Sequence, residues 1–496
     1  MTPVKLTGKG ITTAGIAAIA RDDVSVEVES IVLERLAQAR RILEAAAASG
    51  QQIYGMNTGL GANLKTAVEG DYQAFQRQLV RGRGVAVGEP LRRDVTRAVL
   101  TARLAMLSVG GSGISPEVFS ALLDLLNASV HPLLPSVGSI GAGDLVMLSA
   151  LARCLIGEGR AEYRGEILDA GEALKRAGLT PVVLQPKDGI SLLNASAISV
   201  GQGALVVEDA LALLDAQRKA AALSFEALGG NPLILTPAIQ QARPAAGQED
   251  EAAATLRQLE GSSLFGAKVA IQDPLSLRCV APIHGALVTA LQNARAAIEI
   301  ELNSAADNPL VIIEEERVLS TGNFHTPLLS LAFEALGLSI AQAAAACAAR
   351  FIQLTGSGRN GLPRYLSPIG GPSAGFVPMQ KTVTALLARV RHKANPVMLD
   401  FLSVSEGVED HATQSALVVE KCADMLSFWR QLVACEMLAA AQGVDLRTGH
   451  RCGTITSETY GFVRGLAGRL EEDRPLGDDA IRIAEALAEH RAMESG

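Results

Sequence analysis

The chain has 496 residues, with 44 Lys and Arg against 52 Asp and Glu, and a formal net charge of −8. Apolar residues make up 48% and charged ones 19%, enough material for a sizeable core, which excludes a disordered chain. The acidic balance gives no basis for a nucleic-acid or anionic-membrane partner, and 3% aromatics with abundant Gly and Ala favour closely packed helices over an aromatic-rich β protein.

In chain order, the apolar run at 11–20 is short, rich in small residues and followed by Arg21-Asp22-Asp23, which makes it a poor signal peptide. Strand signals are few, at 26–29, 161–164 and 166–168. Around them lie loops dense in Gly, Asn and Ser, such as Tyr54-Gly-Met-Asn-Thr-Gly-Leu-Gly61 and Val109-Gly-Gly-Ser-Gly-Ile-Ser115. Such loops carry catalytic groups when a rigid scaffold holds them. Long helical runs rich in Ala and Leu follow at 199–227, 281–306, 328–354, 380–393 and 414–442. Their small side chains let neighbours approach closely in one bundle. The stretch 327–349 is the most apolar, but it carries Glu334 and an Ala-rich run, so a buried central helix is expected rather than a membrane span. Pro232, Pro237 and Pro244 mark a loop, as does 356–375, and the charged tail from Glu471 reads as an amphipathic surface helix. The expectation is a mainly α fold. A loop-rich active-site domain at 1–200 precedes a long central helical bundle with C-terminal surface helices at 201–496.

Generic chemical motifs are missing. Six cysteines lie far apart without a CxxC pair, as buried thiols of a reducing cytoplasm would. The seven histidines form neither HExxH nor HxxxH, so no metal is expected. No P-loop, GxGxxG after a strand, or GxSxG elbow occurs. What remains is a set of loop segments in a specific order: Tyr54-Gly-Met-Asn-Thr-Gly; Pro132-Leu-Leu-Pro-Ser-Val-Gly-Ser-Ile-Gly-Ala-Gly-Asp-Leu145; Lys187-Asp-Gly-Ile-Ser-Leu-Leu-Asn194; Gln272-Asp-Pro-Leu-Ser-Leu-Arg-Cys279; Asp307-Asn-Pro309; Gly322-Asn-Phe-His325; and Glu409-Asp-His411. Over almost the whole chain, this order resembles the histidine and aromatic amino-acid ammonia-lyase family.

The resemblance implies a homotetramer of helical subunits, active sites built from more than one chain, and a small amino-acid or betaine substrate. It also implies methylidene-imidazolone (MIO), an electrophile made when an Ala-Ser-Gly tripeptide cyclises and dehydrates. Here the chain departs. Where the family reads G-S-V-G-A-S-G-D-L, this sequence reads Gly138-Ser-Ile-Gly-Ala-Gly-Asp-Leu145, and the serine between Ala142 and Gly143 is missing. No MIO is expected, and Gly141-Ala142-Gly143 is left as a turn at the pocket floor leading into a helix from Asp144, whose free N–H groups keep the floor electropositive.

By the same resemblance, Tyr54 matches the base at the β-carbon, against a plain packing role for a loop tyrosine. Arg278 matches the arginine that binds the substrate carboxylate in a planar fork, with a structural salt bridge as its alternative. Asn194 and Asn323 match pocket amides and Phe324 a pocket aromatic. Glu409 falls in the slot of a Glu contacting an imidazole ring. Arg83 stands where the family keeps a ring-selecting residue, Leu275 where it usually has Tyr, and Lys381 where it has an apolar or aromatic side chain. Surface exposure is the plain account of Arg83 and Lys381. Facing inward, they favour a ring able to carry negative charge.

An enzyme of this type without MIO needs a substrate whose amine leaves unaided, such as a trimethylammonium group. The sequence is similar in this respect to the MIO-independent ergothionase branch of the family, with Tyr54, Lys381 and Glu409 as catalytic candidates. The alternatives are a conventional histidine or aromatic amino-acid ammonia-lyase, which requires MIO, and a non-catalytic relative that binds a small molecule.

Overall fold

The structure, a computed structural model, describes residues 3–68, 70–267, 270–356 and 361–489. Residues 357–360 of the loop expected at 356–375, and 490–496 of the tail, lie outside the described residues. The fold is mainly helical. The five long runs form helices at Ala197–Leu228, Val280–Leu302, Pro327–Leu354, Met379–Lys393 and Ser415–Asp445, and the tail forms a helix at Gly477–Glu489. Ends differ from the expected ones by up to about four residues, where apolar periodicity says nothing of caps.

Two units make up the chain. The first takes Met1–Glu208 together with Ala294–Ala332 and Pro396–Glu420; the second takes Asp209–Asn293, Phe333–Asn395 and Lys421–Gly496. Sequence reading cut the chain once, after residue 200. The structure instead gathers two later segments into the first unit, and these bring Asn323, Phe324 and Glu409 to the same unit as Tyr54.

The core of the first unit is built on the Arg93–Ser108 helix, which is buried continuously from Val95 to Ser108. Gly201 explains how tightly its neighbour packs: a Cβ there would lie 2.7 Å from the Val99 amide nitrogen. Among the described residues, all the small sheets belong to this unit. Val4–Leu6 pairs in parallel with Val26–Val28, and Val87–Pro90 pairs with Pro135–Val137. Val130–Pro132, Arg160–Tyr163 and Glu166–Asp169 form a three-stranded antiparallel sheet, while Leu310–Ile312 pairs with Arg317–Leu319. Strands of three or four residues are too short to show alternation, so most left no sequence signal.

The second unit holds buried ion pairs among its helices. Arg350 and Glu436, both fully buried, form a two-pronged pair at 2.5 and 2.9 Å, and Lys421 meets Glu334. Of the two helical stretches among the described residues that are apolar and long enough to cross a membrane, Asp188–Leu228 has 94% of its most apolar window buried inside the protein and Pro327–Leu354 has 56%. The second therefore leaves an uncovered apolar face, with Leu328, Leu331 and Leu338 each more than half exposed.

Glu301, on the first unit's part of the Val280–Leu302 helix, is pushed up to about 7 by burial alone. Its folded value lies above the ordinary 4.5, so its contribution to stability is complete below pH 4.5 and is lost as pH rises through 7. By pH 8 the ionised form costs about 3 kcal/mol. Glu301→Gln is expected to raise the Tm at pH 8 and to leave it nearly unchanged at pH 4. Equal shifts at both pH values would remove this account.

Candidate active site

The loop after Tyr54 doubles back on itself. Tyr54 bridges to Thr58, Thr58 bridges to Ala67, and the amide of Gly61 donates to the Tyr54 hydroxyl oxygen at 2.9 Å. Gly61 sits at φ +58, a conformation glycine adopts without strain. The phenol oxygen thereby receives a fixed donor of the kind that supports developing negative charge.

A second wall is the turn from Ile140 to Gly143. Gly141 is left-handed at φ +81, and a Cβ on it would fall 2.2 Å from Thr413 Oγ1. Thr413 in turn donates its hydroxyl to the Gly141 carbonyl at 2.8 Å, and the Gln414 amide donates to the Ile140 carbonyl at 2.9 Å. Gly143 is also left-handed, at φ +78, with Leu145 Cδ1 and Asn194 Oδ1 at 2.8 and 3.3 Å from where a Cβ would be. Ala142 pairs through its backbone with His325. The residues present do not fit an Ala-Ser-Gly cofactor precursor, because the turn has no serine between Ala142 and Gly143.

Asp144 precedes the Leu145–Leu155 helix, yet its carboxylate makes no cap to that helix. It reaches instead to the start of the Ala197–Leu228 helix, accepting from the amides of Ile198 and Ser199 at 2.9 and 3.2 Å, and from the Ser139 hydroxyl at 2.6 Å. Burial pushes this carboxyl up to about 6, against the pull of those hydrogen bonds. Sequence reading placed the helix start at Asp144 with its N–H groups free. The first helical residues, Leu145 and Val146, do line the cavity, whereas the neighbouring helix start is taken by Asp144.

These walls, together with Ser405 and Glu409, line a cavity of ≈ 540 Å³ inside the first unit. Tyr54, Arg83, Ala142, Gly143 and Glu409 all line it. Desolvation lowers the Arg83 guanidinium, while the charges of Tyr54 and Glu409 raise it. Arg83 is thus half-buried and faces the cavity, not the surface. It also walls a second chamber of ≈ 770 Å³ beside Asn63 and Asp71.

The other expected residues lie elsewhere. Gly141 is buried in the turn behind the lining. Asn194 is buried beside Gly143, its amide donating to the Asn308 carbonyl at 3.2 Å. Phe324 is half-buried and packs edge-on to His325, and Asn323 is exposed. Neither is among the residues lining the cavity. Arg278 and Lys381 belong to the second unit and are no part of this cavity wall. Arg278 keeps a buried Nε without a hydrogen-bond partner among the described residues, and Lys381 is exposed on the first turn of its helix.

Some residues at or beside the cavity were given no role by the sequence. Leu60, Asn63 and Ser405 line the cavity from loops whose course only the fold decides. His325 and His411, 86 residues apart, join through Nε2 and Nδ1 at 2.7 Å beside the turn. Among the described residues one trio, Glu226, His450 and Cys452 of the second unit, has ligand-type atoms within 4.8 Å of one another. Both Glu226 oxygens already accept from Ser262, His450, Gly453 and Thr456, and His450 Nδ1 meets Ser263. Burial also pushes the Cys452 thiol up to about 12. The trio works as a hydrogen-bonded anchor, with no ligand set left for a cation.

Comparison with known proteins follows the same lines. Residues 11–465 match the family described as aromatic amino acid lyase. The chain is 36% identical to a histidine ammonia-lyase of Treponema denticola, over 98% of this chain and 97% of that protein. Among solved structures it is similar to ergothionase from Treponema denticola in complex with desmethyl-ergothioneine sulfonic acid, with a TM-score of 0.95, 30% identity and coverage of 99% and 100% of the two chains. It is also similar to histidine ammonia-lyase from Trypanosoma cruzi, with a TM-score of 0.91, 29% identity and coverage of 98% and 94%.

Proposed function

The chain belongs to the aromatic amino acid lyase family and is a carbon–nitrogen lyase, and we propose that it works without MIO, eliminating a tertiary amine from a betaine-type amino acid in the manner of an ergothionase. The observation that carries this reading is the turn at Gly141-Ala142-Gly143. It offers no serine to dehydrate. A plain ammonium leaves reluctantly without an electrophile to activate it. A trimethylammonium group leaves as neutral trimethylamine.

In the proposed step the Tyr54 phenolate takes the β-proton. The C–H electron pair becomes the Cα=Cβ bond, and the C–N pair departs with trimethylamine, leaving an α,β-unsaturated acid. Glu409 and Arg83 line the same cavity, and in this reading a thioimidazole ring meets them as one acceptor and one cation. Arg278 binds the substrate carboxylate, Lys381 steadies negative charge on the ring, and Asn194, Asn323 and Phe324 complete the pocket. The proposal includes a homotetramer with active sites built from more than one chain. The uncovered face at Leu328, Leu331 and Leu338 supports association of that kind. Six free cysteines suit a reducing cytoplasm.

A second reading is a histidine ammonia-lyase, favoured by the 36% identity to the Treponema protein. Incubation with ergothioneine, hercynine, histidine, phenylalanine and tyrosine, with trimethylamine and ammonia assayed separately, decides between them. Trimethylamine from ergothioneine without ammonia from histidine is expected. Intact-mass spectrometry should then match the encoded chain. Ammonia release from histidine, together with a mass short by two waters within 132–145, would establish the MIO-dependent reading instead.

A further inference from the structure

Across residues 401–410 every side chain is exposed except two, Ser405 and Glu409, which turn inward. Both line the cavity. They are brought together by a tight turn that Val404 and Glu409 close through paired backbone hydrogen bonds at 3.0 and 3.3 Å. Within it Ser405 and Glu406 adopt φ of +54 and +56, followed by Gly407 at +84. Side chains carry a steric penalty in that region, and such penalties persist where the surroundings impose them. A glycine at 405 would remove the strain. A serine is there instead, and its hydroxyl donates to Glu409 Oε2 at 2.6 Å.

A glutamate terminus rotates broadly about its last torsion, so a carboxylate facing an open cavity loses orientational freedom when it binds a ring N–H. A fixed hydroxyl donor removes that freedom in advance. Ser405 has one proton to give, and giving it to Oε2 leaves the other carboxylate oxygen for a donor in the cavity. The loop after Tyr54 fits this arrangement: Gly61, whose amide serves Tyr54, lies against Ser405, with 3.9 Å from a Cβ position on Gly61 to Ser405 Oγ.

We propose that Ser405 is a positioning residue that sets the Glu409 carboxylate for the substrate ring, and that the left-handed course of 405–407 is maintained for this purpose. The inference rests on the reading of Glu409 as a ring-binding group.

Two variants separate this role from a structural one. Ser405→Ala deletes the hydroxyl and keeps the strain; Ser405→Gly deletes the hydroxyl and relieves the strain. Both are expected to lower kcat/KM by about 10–100-fold on whichever substrate of the panel is turned over, the weight of a hydrogen bond to a charged group. Ser405→Gly should nevertheless keep or raise the Tm. In a Glu409→Gln background, adding Ser405→Gly is expected to cost less than about threefold, because coupled residues are not additive. Wild-type kcat/KM in Ser405→Gly, or the same loss in both backgrounds, overturns the inference and leaves the role of Glu409 standing. Full activity in Glu409→Gln overturns both together.

Discussion

Tyr54→Phe is expected to lower kcat by about 10²–10⁴-fold, the usual weight of a positioned acid–base group. The substitution keeps the ring that packs half-buried in the loop and removes only the oxygen to which Gly61 donates at 2.9 Å. No change of fold is expected, because the Tyr54–Thr58 and Thr58–Ala67 pairings that shape the loop are backbone bridges. The oxygen acts on the β-proton in the transition state, so the loss should fall on kcat and kcat/KM together, with KM little changed. Steady-state kinetics with an unfolding curve for each variant makes the check. Turnover within about tenfold of wild type at unchanged Tm would take Tyr54 out of the mechanism.

Arg350→Met is expected to cost about 3–5 kcal/mol of stability, the penalty for leaving a buried charge without its partner. Arg350 and Glu436 are both fully buried. Without the guanidinium, Glu436 keeps the Ser224 hydroxyl, at 2.7 Å, and the Cys347 thiol, neither of which carries a positive charge. The loss extends to the neighbouring turn, since Arg350 Nη1 also donates to the Ser276 carbonyl at 3.1 Å, inside the Leu275–Arg278 helical turn. Denaturant unfolding should register the cost, and kcat/KM should fall further than stability alone dictates, because Arg278 closes that turn. Adding Glu436→Leu to Arg350→Met is expected to recover part of the stability, as replacing both members of a buried pair commonly does. A double variant no better than the single one would show that packing, and not the stranded charge, sets the cost.

Much of the architecture was legible in the sequence because long helices announce themselves over many residues. The Pro327–Leu354 helix was expected at 328–354 from its apolar content alone. The loop motifs were legible for another reason: each carries glycines and polar residues in a fixed order that only a demanding backbone course requires. Gly141 is the plainest case, since its φ of +81 and the 2.2 Å approach of Thr413 leave glycine as the residue that fits. Asp144 was legible as the start of its own helix, but nothing local says that its carboxylate serves the start of a different helix, at Ile198 and Ser199.

What the sequence determined by itself was the helical class, the family, and the loss of the serine that an electrophilic cofactor would need, for all three follow from residue identity and order. Which side chains share a cavity was decided by the tertiary structure alone. Arg83 had two readings, inside or on the surface, until burial and the nearby charges of Tyr54 and Glu409 placed it in the cavity wall. Ser405 had no reading at all. It became a partner of Glu409 because a three-residue left-handed turn folds their side chains onto one face, and such a turn has no periodicity to betray it. Tyr54, Arg83 and Glu409 line one cavity across more than 350 positions of chain, and local spacing carries no information over that distance: only the fold brings the loops that hold them to the same place.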